Sequence, residues 1–78
     1  MYKVNEAIAK PIIEYVAQHP EGCKRQSVVD KFSIVIGKAL VVRSTYSNAL
    51  ISLTLDSLAL LGRLDWDTNS DTFKAVRS

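Results

Sequence analysis

Apolar positions along the chain recur at two spacings, and the change from one to the other divides it into elements. Ile8, Ile12, Tyr15 and Val16 follow at intervals of four, three and one, which lines one face of a helix. Pro11 has no N–H to donate and belongs in the first turn or kinks it, so Asn5 and Lys10 are rival starting points. His19-Pro20-Glu21-Gly22 should end the helix, because a residue before proline disfavours helical dihedrals and glycine loosens the next turn. Lys24 to Phe32 reads as a short second helix of about two turns. Val28, Val29 and Phe32 would point inward, leaving Lys24, Arg25, Gln26 and Lys31 for solvent or phosphate.

The tract from Ser33 to Val42 is rich in β-branched residues, so it is expected to be extended. It either turns back at Gly37-Lys38 or runs as one strand that joins a later sheet. Ser44 to Gly62 reads as one long helix. At 100° per residue, Tyr46, Ala49, Leu50, Leu53, Leu60 and Leu61 share a broad face expected to be the core stripe. Ile51, Leu55 and Leu58 form a second apolar stripe, the candidate dimer interface, with Ile13 of the first helix as further spare apolar surface. A narrow polar strip of Thr45, Asn48, Ser52 and Asp56 lies between the stripes. Ser44 or Thr45 supplies a capping oxygen, and Gly62 stands where a left-handed residue closes the helix.

From Arg63 to Val76 the period becomes two, which predicts a hairpin with Thr68-Asn69-Ser70-Asp71 as its loop. Trp66 then faces Phe73 and Leu64 faces Ala75 on an apolar side, while Asp65 faces Lys74 on the other. A slip of one residue would put Trp66 in water. The predicted class is α+β, mainly α: three helices, an extended tract between the second and third, and a C-terminal β-hairpin. The 78 residues are expected to form a single domain, 1–78.

Composition adds limits rather than a function. With 47% hydrophobic and 23% charged residues, and no apolar run near the roughly 20 residues of a bilayer span, a globular chain without a membrane anchor is expected. Met1 to Asn5 lacks the apolar core of a secretory signal and Cys23 is the only cysteine, so a reducing cytoplasm is the expected compartment. The net charge is +2, but Lys24, Arg25, Lys31, Lys38 and Arg43 oppose Asp30 alone between residues 24 and 43. A basic segment of this kind suits either a phosphate-binding face or a solvated surface. The single histidine, His19, suits a helix end better than a metal site, and Cys23 suits a small buried position. Nucleophilic, acid–base and metal chemistry all lack parts, so neither an enzyme nor a metal or other cofactor is expected.

The tail Leu50, Leu53, Leu58, Gly62, Leu64, leading from a long helix into a hairpin, resembles the winged helix-turn-helix superfamily, and the similarity spans Ala7 to Val76. The tract from 33 to 43 departs from it, being longer than the turn of an ordinary helix-turn-helix. The resemblance implies a small transcriptional regulator that binds double-stranded DNA as a homodimer, with the N-terminal half of its third helix in the major groove. Carried onto this chain, Thr45, Ser47 and Asn48, with Ser52 at the margin, would face the groove, since Asn pairs with adenine and hydroxyls accept either partner. Lys24, Arg25, Lys38 and Arg43 would hold phosphates, with Gln26 beside them. Asp65, Asp67 and Asp71 give the wing an acidic tip that phosphate would repel, and the third helix has no cation after Arg43. These two features suit an alternative, a winged-helix module that binds a protein partner of transcription or replication machinery without reading DNA.

Overall fold

A computed structural model of the chain describes residues 4–40 and 44–76. Among the described residues, three helices pack with a three-stranded antiparallel sheet in the order α1 (Glu6–Ala17), β1 (Cys23–Lys24), α2 (Arg25–Leu40), α3 (Ser44–Leu60), β2 (Leu64–Asp67), β3 (Thr72–Ala75). The predicted class, α+β and mainly helical, is therefore the observed one. No described helix is long and apolar enough to cross a membrane.

Asn5 decides where α1 begins. Its side-chain oxygen accepts the Ala7 N–H at 3.0 Å, which satisfies a donor that the first turn leaves open. Pro11 sits inside the helix and gives no N–H to the Ala7 carbonyl; both residues are exposed, so water can reach that oxygen. At the other end His19 donates its Nδ1–H to the Tyr15 carbonyl at 2.8 Å, a helix-end role for this side chain. Gly22 then takes φ +96, and a Cβ there would stand 2.5 Å from Thr72 Cγ2. This close approach lets Cys23 and Lys24 pair with Phe73 and Thr72 as a third strand that the hydrophobic pattern did not suggest. Gly22→Ala should cost about 1–3 kcal/mol in urea unfolding, because both the dihedral and the space are wrong for a side chain.

The second helix corrects the expected boundary at Phe32 and the extended tract beyond it. Helix α2 runs on to Leu40, so residues 33–40 are helical, while Val41, Val42 and Arg43 lie outside the described residues. Val28, Val29, Phe32, Ser33, Ile36 and Gly37 are buried or half-buried, a stripe of helical period, whereas Ile34 and Val35 stay exposed. The helical penalty on β-branched residues is only tenths of a kcal/mol each, and burying a continuous stripe outweighs it. Strand β1, not this tract, pairs with β3 at the edge of the sheet.

Helix α3 ends as expected: Gly62 has φ +74, Arg63 N–H bonds Leu58 O at 2.8 Å and Gly62 N–H bonds Ala59 O at 3.1 Å. Its faces are largely the reverse of the expectation, although Leu50, read as core, is half-buried against it. Ile51, Leu55 and Leu58, read as a dimer interface, are completely buried in the core with Ile8, Ile12, Val16, Val28, Leu64 and Phe73. Tyr46, Leu53 and Leu60, read as core, are 60%, 62% and 64% exposed. Ile13, also read as spare surface, is half-buried against the core. Two polar residues, Ser47 and Thr54, lie among the buried positions; Thr54 satisfies its hydroxyl on the Leu50 carbonyl at 2.7 Å, which makes its burial tolerable.

The hairpin has the predicted register, Leu64 opposite Ala75, Asp65 opposite Lys74 and Trp66 opposite Phe73. Asp71 takes φ +52 to close its loop. The order across the sheet is β1-β3-β2. Leu64 and Phe73 are buried, while Trp66 stacks on Phe73 at 5.7 Å and remains partly exposed rather than entering the core.

Candidate nucleic-acid interface

Among the described residues, the most connected polar side chain is Arg25, the first residue of α2. Its Nη2 donates to Asp56 of α3 at 2.7 Å, its Nε to Asp71 of the hairpin loop at 2.9 Å and its Nη1 to the Ser52 hydroxyl at 2.7 Å. The guanidinium also lies 5.3 Å from the Trp66 ring centre and 5.2 Å from that of Phe73, a cation over two aromatic faces. Its backbone N–H bonds the Asp71 carbonyl. One side chain thus joins α2, the middle of α3 and the hairpin. Hydrogen bonding from Arg25, with a second bond from Trp66 Nε1–H, holds the Asp71 carboxyl below its ordinary 3.8. The same Asp71 bond, reinforced by Asp56, raises the Arg25 pKa.

These contacts correct the phosphate role read for Arg25: its donors are committed to two carboxylates and a hydroxyl within the protein. Ser52, read as a margin of the groove face, is half-buried and accepts from Arg25. Ser47, read as groove-facing, is fully buried. Gln26 is exposed and donates to Asp30 at 2.8 Å, an i, i+4 bond on the outside of α2. Lys24 on β1, Lys38 on α2, and Thr45 and Asn48 on α3 are exposed. Arg43 falls outside the described residues. Of the expected constellation, the structure therefore leaves Thr45 and Asn48 uncovered near the start of α3, and Lys24, Lys38 and the Asp30-bound Gln26 uncovered elsewhere.

Tyr46 and Ala49, expected in the core, share this uncovered N-terminal half with Thr45 and Asn48. The half carries hydroxyls, an amide and small apolar surface, and from Ser44 to Leu60 the only charged side chain on α3 is Asp56, already bound by Arg25. Such a face can hydrogen-bond base edges and touch methyl groups, and it depends on other elements for phosphate contacts. The hairpin is acidic and offers no such contact. Its outer side lines a concavity with Glu21, Asp65 and Asp67 against Lys74.

Three other features have local roles. Arg63 forms a two-pronged bond to Glu6, at 2.6 and 2.9 Å, tying the end of α3 to the start of α1. Lys31 lies 5.9 Å from the Tyr15 ring centre. Burial, followed by the charge of Glu21, pushes the Cys23 thiol up, so this sulfur stays protonated and weakly nucleophilic. The Arg25 junction was missed in the sequence because its partners lie 27 to 46 residues away, and no local spacing records them. Among the described residues no group of His, Cys, Asp or Glu is arranged to hold a metal ion. The chain matches no protein-family profile, no curated protein and no solved structure.

Proposed function

We propose that the chain is a winged-helix DNA-binding regulator that reads the major groove with the first turns of α3. The observation that carries this reading is the uncovered N-terminal half of α3, with Thr45, Tyr46, Asn48 and Ala49 outward on a helix whose inner face is anchored in the core. The order of elements and the β1-β3-β2 sheet agree with that architecture. Asn48 is the adenine-reading candidate, Thr45 a hydroxyl partner for either base, and Ala49 a contact for a thymine methyl. Lys24 and Lys38 are phosphate contacts, and Arg25 is a positioning residue that holds α3 against the hairpin. The acidic hairpin stays away from the backbone of the duplex.

A salt titration against mixed-sequence duplex tests the reading. Log affinity should fall steeply with log salt, and Lys24→Ala or Lys38→Ala should each reduce the slope by about one. Absence of binding at low salt would sink it. A second reading, a winged-helix module for a protein partner, is favoured by the exposed Leu53 and Leu60 together with the acidic hairpin. Under that reading duplex DNA is not bound at any salt concentration.

A further inference from the structure

The sheet ends on a strand with a free side. Its order is β1-β3-β2, so β2 pairs with β3 alone and no described strand covers its other edge. An edge strand turns alternate N–H and C=O groups outward, where another extended chain can pair with them. Along β2 only Leu64 is buried, and Asp65, Trp66 and Asp67 are exposed. Asp65 and Asp67 stand on one side of the strand and Trp66 on the other, with 40% of its surface exposed. We infer that this edge takes a basic, extended segment of a partner protein as a fourth strand of the sheet.

Charge decides the occupant. Among the described residues Asp65 and Asp67 form no ion pair. They line one concavity with Glu21, and Lys74 is the sole cation of that lining. A second copy pairing β2 with β2 would bring carboxylates against carboxylates, which destabilises a strand pair. Duplex DNA and acidic peptides meet the same repulsion. A basic strand is attracted where all of these are turned away.

The alternation of β2 also sets the pattern recognised. Cations two residues apart on the added strand would lie beside Asp65 and Asp67, and the residue between them beside Trp66. The indole favours an apolar or aromatic residue there. Its ring is already stacked on Phe73 and bonded through Nε1–H to Asp71, so little further ordering is needed on this side of the contact. The inference does not depend on duplex binding, which is read from α3.

An end-capped peptide of alternating arginine and valine, about eight residues long, tests the contact at low salt. Trp66 is the only tryptophan, so its emission reports binding. Saturable binding is expected, with slower hydrogen exchange at amides of β2. Asp65→Asn and Asp67→Asn keep a side-chain oxygen, which in Asp67 accepts the Asn69 N–H. Each should weaken binding about two- to fivefold, and the double variant by more. Asp30→Asn, on the outside of α2, should leave it unchanged. The arginine peptide N-methylated throughout keeps its charges but cannot donate to the edge, and should bind at least about tenfold more weakly. A peptide with aspartate in place of arginine should not bind. Lack of saturable binding by the arginine peptide, equal affinity for its N-methylated form, undiminished binding by the double variant, or protection confined to β1 would each overturn the inference. Peptide binding by a chain that ignores duplex DNA would leave this contact standing and sink only the DNA reading.

Discussion

Leu55→Ala should destabilise the fold by about 2–5 kcal/mol, whereas Leu53→Ala, two residues away on the same helix, should change stability by no more than about 0.5 kcal/mol. Leu55 is wholly buried and Leu53 is largely exposed, so the first substitution opens a cavity and the second removes surface already in water. A chain of 78 residues has a total stability of roughly 4–12 kcal/mol, so the Leu55 substitution should remove a large share of it. Urea unfolding of both variants provides the check. Equal losses at the two positions would mean that the inner face of α3 has been misassigned.

Replacing Arg25 with methionine should have the next largest effect. The variant keeps the apolar stem over Trp66 and Phe73 but removes the bonds to Asp56, Asp71 and Ser52, leaving their acceptors to water. These groups remain partly solvated, which screens their charge, so a loss of about 1–3 kcal/mol at neutral pH is expected. The loss should depend on pH in a defined direction. Arg25 depresses the Asp71 pKa, so the stability this pair contributes is fully present above the ordinary carboxylate value of 3.8 and disappears as pH falls through the depressed one. The gap between the natural chain and Arg25→Met should therefore narrow from pH 7 to pH 3. Glu6, similarly depressed by Arg63, destabilises both proteins on acidification and cancels from the comparison. A gap that stays constant would show that Arg25 acts through packing alone.

Arg25 illustrates why a basic segment in a sequence is a weak guide to a phosphate-binding face. As a residue type in a cluster of cations it was a reasonable phosphate ligand, but its acceptors came from two distant elements, and the Trp66 and Phe73 rings lie against the guanidinium as well. Lys24 and Lys38 remain exposed and available. The surviving candidate face is narrower than the sequence suggested: Thr45 and Asn48 without Ser47 or Ser52, joined by Tyr46 and Ala49, which the sequence had assigned to the core.

The division between sequence and tertiary structure follows the range of the forces involved. Local rules were enough to determine α1 from its apolar spacing, the left-handed Gly62 that closes α3, the existence of that long helix, and the hairpin with its full register. In the hairpin, turn chemistry and alternation over 14 residues point to one pairing. Only tertiary structure decided which side of α3 is the interior. Both sides carry leucine at helical spacing, so burial energy within the isolated helix is nearly equal for either choice. The core formed by α1, α2 and the sheet accepts Ile51, Leu55 and Leu58, together with a self-bonded Thr54, and leaves Tyr46, Leu53 and Leu60 outside. The same long-range packing turned residues 33–40 from an expected strand into helix, because a weak local preference of β-branched residues yields to a stripe that can be buried.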